Sequence, residues 1–178
     1  DRTIGRLLDL LKDLKLEKDT IVLFSSDNGP ATPGGAGTDS VFFESTGGRR
    51  GYKGEVYEGG IRVPLIVRWP IKIKAGSVSD YVCYFPDFLP TLMELIGART
   101  TIPKGIDGVS FAPTLLGKTD AQKKREYLYW EFPSYGVQQA VRLGNWKGVR
   151  RNMAKGNLKL ELYDLKEDPG EKNDLAAK

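Results

Sequence analysis

The chain has 178 residues, of which 40% are hydrophobic and 28% charged, with 27 basic against 23 acidic side chains. That is the make-up of an ordinary globular protein of one domain, or one domain with a small appendage. No apolar run approaches the roughly 20 residues of a membrane span, the mild net charge of +4 lacks the clustering expected of a nucleic-acid face, and the absence of histidine removes any Ser-His-Asp triad or HExxH zinc site from this chain.

The first residues, DRTIGRLLDLL, already read as helix, with no initiator Met and no signal-peptide pattern. The chain is therefore expected to begin inside a larger protein, a portion of which would cover apolar surface left exposed here. Ile4, Leu7, Leu8, Leu11 and Leu14 fall at helical spacing, which predicts an amphipathic helix with one buried stripe. Thr20 to Ser25 is a short, continuous apolar and β-branched run, which predicts a strand buried on both faces. Helix followed by such a strand implies an α/β fold with a helix-covered, mainly parallel sheet.

The strand ends abruptly in Ser26-Asp27-Asn28-Gly29-Pro30. Asn-Gly is a strong hairpin-turn signal, so one reading is a type I′ turn. The residues after the turn, Pro-Ala-Thr-Pro-Gly-Gly, make no strand. Ligands of open α/β sheets bind just beyond the carboxyl ends of strands. There, a carboxylate and an amide carbonyl suit a hard cation, Ca²⁺ or Mg²⁺, although Ca²⁺ needs about 6–8 oxygens in all.

Residues 29–60 hold ten of the 21 glycines, yet also Phe42, Phe43, Tyr52 and Tyr57. Such aromatic content favours a folded, functional loop over a solvated linker. Within it, Gly51 to Pro64 sets Lys53 and Arg62 in glycine-rich backbone before a second apolar run. That pattern suits an anion. A structural cluster of Lys53, Glu58 and Arg62 is an equally good reading of the residue types. It is no Walker A loop, because Tyr52 stands where that motif needs lysine.

Val63 to Pro70 reads as a second buried strand. Asp87 to Ile96 reads as a helix with Asp87 as N-cap, Pro90 in its first turn and Gly97 as the stop. After Asp120 the pattern turns β, in residues 127–132, 139–150 and 158–165, with Leu143-Gly144-Asn145 as a tight turn. The expected organisation is an α/β portion over residues 1–100 and a smaller antiparallel sheet subdomain with a tail over 101–178.

TIVLFSSDNGP followed by GYKGEVYEGGIRVPLIVRWP resembles the sulfatase family, arylsulfatase type, of the alkaline-phosphatase-like superfamily. The similarity runs on through DFLPTLMELIGA, IDGVSFAPTLLGK, YLYWEF, AVRLGNWKGVR and LYDLKEDPGEKNDLA, and so covers nearly the whole chain as the carboxy-terminal portion of such an enzyme. The resemblance implies hydrolysis of sulfate monoesters, aryl or carbohydrate, at a Ca²⁺ site (Ca²⁺ in preference to Mg²⁺) with a formylglycine nucleophile. It implies that Asp27 and Asn28 are metal ligands, that Lys53 contacts the sulfate, and that Glu58, Gly59, Gly60 and Arg62 shape the lysine loop. A secreted, periplasmic or lysosomal setting is likewise implied by the family alone.

Cys83 lies in VCYFPD, without the Pro and Arg of the C/S-x-P-S/A-R motif from which formylglycine is made. It is expected to be a core thiol. The formylglycine, the remaining metal ligands and the family's histidine and second lysine are thus expected in the amino-terminal part of the same enzyme, leaving this chain inactive alone. The alternatives are a phosphodiesterase or phosphonate hydrolase of the same superfamily, or a non-catalytic binding module that retains the fold.

Overall fold

The computed structural model describes residues 1–37 and 39–177, which fall into two compact units. The first unit comprises Asp1–Phe24 and Ile66–Arg125, the second Ser25–Leu65 and Glu126–Lys178.

In the first unit, helix α1 spans Arg2–Asp13 as its periodicity predicts, but none of its residues is buried. Leu7, Leu10 and Leu14 are each more than half exposed. Helix formation follows from local spacing, whereas burial needs a facing layer, and the described residues supply only part of one. The same holds for strands β1 (Val22–Ser25) and, beyond the glycine-rich loop with its short helix α2 (Glu58–Ile61), β2 (Leu65–Arg68), which form a two-stranded sheet. Phe24 and Ile66 remain exposed, so burial on both faces is not reached among the described residues. Asn28-Gly29 closes no hairpin, because the partner of β1 is β2.

Helix α3 covers Phe88–Leu95, entered through a 3₁₀ turn at Phe85–Asp87 and left at Gly97, whose φ of 77° is the left-handed stop that glycine tolerates. Asp87 stands at the N-cap position, but its carboxylate does not cap α3. It is fully buried and accepts hydrogen bonds from the Tyr84 N–H (3.1 Å) and the Val109 N–H (2.7 Å), and it pairs with Arg125. Thr91 completes the tie, donating to the Asp87 carbonyl (2.6 Å) and accepting from the Phe111 N–H (2.9 Å) just before α4 (Ala112–Leu115). Cys83 is half-buried and unbridged, and burial pushes its thiol above its ordinary range.

The second unit is built on four antiparallel strands in sequential order: β3 (Leu128–Phe132), β4 (Gln138–Leu143), β5 (Trp146–Arg150) and β6 (Glu161–Asp164). The tight turn falls where expected: Leu143 pairs with Trp146, and Gly144 between them has φ 59°. Register places Ala140 opposite Val149 and Val149 opposite Glu161, and likewise Arg142 opposite Lys147 and Lys147 opposite Tyr163. Directly opposed residues share a face. One face of the sheet therefore carries Ala140, Val149 and Tyr163 together with the charges of Arg142, Lys147 and Glu161. Val56 and Tyr57 of the glycine-rich loop pack into this face with Leu165, flanked by Trp130 and Phe132. The α/β organisation and the antiparallel carboxy-terminal subdomain are those anticipated.

Candidate active site

Asp27, Asn28, Lys53 and the Glu58-Gly59-Gly60 turn all lie within the second unit. Beyond β1, the Ser26 hydroxyl donates to the Asn28 carbonyl (2.8 Å), and the Asn28 side-chain N–H donates to the Gly29 carbonyl (2.9 Å). The amide nitrogen being thus engaged, Asn28 Oδ1 is left without a partner among the described residues. The Asp27 carboxylate is exposed and, among the described residues, equally unpartnered. A carboxylate and an amide oxygen offered this way suit a hard cation. The described residues contain no group of three or more His, Cys, Asp or Glu able to hold one. Asp27 and Asn28 fit as two members of a larger oxygen donor set.

Gly29 is buried, and its N–H donates to the Gly60 carbonyl (2.8 Å). A Cβ at Gly29 would strike the Gly59 carbonyl and lie 2.9 Å from Gly60 Cα, so the two backbones can meet only because Gly29 carries no side chain. One residue on, the Pro30 carbonyl accepts from the Lys53 N–H (2.8 Å). Two backbone hydrogen bonds therefore join the acid–amide pair to the lysine loop. Lys53 itself is exposed, and its ammonium has no partner among the described residues. Its turn is fixed by Glu55, whose carboxylate accepts from the Tyr52 N–H (3.1 Å), and by Gln138, which donates to the Gly54 carbonyl (2.9 Å).

Glu58 is buried and surrounded by cations. Lys147 Nζ lies 3.0 Å from it, while Arg62 and Arg142 stand at 3.7 and 3.8 Å. The salt-bridge cluster weighed from sequence exists for Glu58 and Arg62, but its lysine is Lys147, not Lys53. Lys147 also meets Glu171 at 2.9 Å, and the other oxygen of Glu171 accepts from the Glu58 N–H (2.6 Å). Burial raises the pKa of Glu171, opposed by the Lys147 charge. A second network holds the other flank. Tyr57 and Tyr163 both donate to Glu161 Oε2 (2.5 and 2.7 Å), Arg50 donates to the Tyr163 hydroxyl (2.8 Å), and its guanidinium sits 3.9 Å over the Tyr57 ring. Burial, then the Glu161 carboxylate, push Tyr57 up to about 12, and Tyr163 is raised for the same two reasons.

Lys147, Glu171, Glu161 and Gln138 escaped the sequence reading. One signal was present for Lys147: in Trp-Lys-Gly-Val-Arg it shares the inward phase with Val149, two residues on. A lysine on the apolar phase of a strand implies a buried acid.

The sulfatase family model matches residues 1–98, and the model described as N-sulphoglucosamine sulphohydrolase, C-terminal, matches residues 50–178. N-acetylglucosamine-6-O-sulfatase of Bacteroides thetaiotaomicron is 34% identical over the whole chain, which covers 30% of that protein. Arylsulfatase A of Homo sapiens is 32% identical over 98% of the chain and 37% of its own length. A solved structure of a protein in complex with its substrate, D-glucosamine-2-N,6-O-disulfate, superposes with a TM-score of 0.78 at 30% identity, over 100% of this chain and 34% of that one. The chain spans about a third of the length of these proteins.

Proposed function

The chain belongs to the sulfatase family, and on that premise we propose that it is the carboxy-terminal portion of an enzyme hydrolysing sulfate monoesters, with Asp27 and Asn28 as Ca²⁺ ligands and Lys53 at the sulfate. The observation that supports the reading is the pair of backbone hydrogen bonds, Gly29 to Gly60 and Lys53 to Pro30, which join the Asp27–Asn28 segment to the backbone of the Lys53 turn.

A divalent cation held there supplies Lewis-acid neutralisation of charge on the sulfuryl oxygens. A hydrated formylglycine, expected in the amino-terminal part of the enzyme with the remaining metal ligands, supplies the nucleophile. This chain contributes position and charge. Asp27 and Asn28 offer oxygens from backbone that the Gly29–Gly60 bond immobilises. Lys53 offers a compact point charge, whose three rotatable donors follow a sulfuryl oxygen as the ester bond lengthens. Two relatives aligned over essentially the whole chain are N-acetylglucosamine- and N-acetylgalactosamine-6-O-sulfatases by name, which supports a carbohydrate sulfate as the substrate class.

In the complete enzyme, Lys53→Ala is expected to lower turnover of an aryl sulfate by about 10²–10³-fold, the usual cost of one well-placed donor, with the thermal midpoint unchanged. Near-normal turnover would remove Lys53 from the site. Faster hydrolysis of an aryl phosphate diester than of the sulfate would move the enzyme to the phosphodiesterase branch. The 178-residue chain alone is expected to turn over neither ester.

A further inference from the structure

The Lys147–Glu171 pair has no part in the sulfate chemistry, yet both side chains are completely buried. Burying ions is costly, and a buried ion pair often stabilises no better than apolar residues of the same volume. What such a pair does impose is geometry. Lys147 lies between Glu58 at 3.0 Å and Glu171 at 2.9 Å, and the second oxygen of Glu171 takes the Glu58 N–H at 2.6 Å. The side chain and the backbone of Glu58, the first residue of α2, are therefore both fixed from the sheet and the tail. Two residues along α2, the Gly60 carbonyl receives the Gly29 N–H at 2.8 Å, and Gly29 is covalently next to Asn28.

We propose that Lys147, anchored by Glu171, is a positioning residue for the cation-binding pair Asp27–Asn28, acting through Glu58 and the glycine turn of α2. The inference rests on the reading of Asp27 and Asn28 as cation ligands. The route is short: ammonium to buried carboxylate, carboxylate to helix backbone, backbone to backbone, then one peptide bond to Asn28. Arg142 and Arg62, at 3.8 and 3.7 Å from Glu58, offset charge but do not replace Lys147, which alone touches both acids.

The test uses the complete enzyme with Lys147→Met, Lys147→Arg, Glu171→Gln and, as a control, Lys53→Ala. Two quantities are read besides turnover: the Ca²⁺ dissociation constant by titration calorimetry, and amide exchange at Gly29 relative to Ala140 in the sheet core. Lys147→Met should weaken Ca²⁺ binding about 10–100-fold, the usual effect of losing a group that orients a metal ligand. It should also raise Gly29 exchange about tenfold more than that of Ala140. Lys147→Arg, which keeps the charge, should recover part of both effects. Lys53→Ala should lower turnover while leaving both quantities unchanged.

A folded Lys147→Met enzyme with Ca²⁺ affinity and relative Gly29 exchange within about twofold of the parent would overturn the proposal. Should that variant not fold, Glu171→Gln decides by the same two readings, and unchanged values there are equally fatal. If the parent enzyme binds no Ca²⁺, the proposed function fails, and the relative exchange of Gly29 alone decides whether Lys147 positions this segment.

Discussion

Replacing Gly29 by alanine tests whether the acid–amide segment is locked to the glycine turn. The added Cβ would lie 2.9 Å from both the Gly59 carbonyl carbon and Gly60 Cα, and nearer still to the Gly59 oxygen. Favourable carbon contacts begin at about 3.5 Å, and every atom struck belongs to backbone, so no side chain can swing aside. The two segments must separate, and the Gly29–Gly60 hydrogen bond is lost with them. Overpacking of this kind costs roughly 1–3 kcal/mol, and the buried hydrogen bond adds about 1 kcal/mol. At about 2–4 °C per kcal/mol for a chain of this size, the thermal midpoint should fall by roughly 4–16 °C. Circular dichroism melts of Gly29→Ala beside Gly5→Ala provide the comparison. Gly5 lies in α1 with nothing within 4 Å of an added Cβ, so its replacement should stabilise by up to about 1 kcal/mol. A Gly29→Ala protein as stable as the parent would show that the two backbones do not meet as described.

Alkaline titration probes the tyrosine–Glu161 network: with Tyr57 pushed up to about 12, its stabilisation is complete below the ordinary tyrosine pKa of about 10. That contribution is lost as pH rises from there through the folded value. Tyr57 alone should lower stability by about 1.4 kcal/mol per pH unit above pH 10, read as a falling urea midpoint, with Tyr163 adding to that fall; Tyr57→Phe should make the slope shallower, and an unchanged slope would refute the assignment. Asp87→Ala leaves the part-buried Arg125 guanidinium and Val109 N–H without the buried carboxylate that accepts from both, and near-UV melts should register a loss of about 3 kcal/mol, the lower end for breaking a buried pair. Chelation of Ca²⁺ should abolish turnover by the complete enzyme while leaving the far-UV spectrum of the present chain unaltered. A marked spectral change would make the ion a folding partner of this chain and not only a catalytic one.

Features legible in the sequence share a short range. The Leu143–Trp146 turn, the stop at Gly97 and the extent of α1 are each decided within a few residues, and each stands where the residues indicate. Asp87 marks the limit of such reading. Its position before α3 is local and correct, but its carboxylate serves Val109, 22 residues on, which no capping pattern encodes. Lys147 and Glu171 lie 89 and 113 residues from Glu58. Only folding reveals that the lysine pairing with Glu58 comes from β5, while Lys53, the nearer candidate, stays free of that cluster among the described residues. The apolar faces of α1 and β1 stay largely exposed among the described residues for a related reason: apolar character declares that a face needs covering, not what covers it.

The reach of Glu171 also orders events in time. A ribosome adds about 5–20 residues per second, so the loop carrying Asp27, Lys53 and Glu58 emerges several seconds before the carboxylate that closes its buried triad. Until then Glu58 and Lys147 wait in a half-assembled pocket, and the glycine turn has only its own backbone to hold it. Chaperone engagement or proteolytic nicking during synthesis should concentrate on that loop, and should cease once the tail has docked.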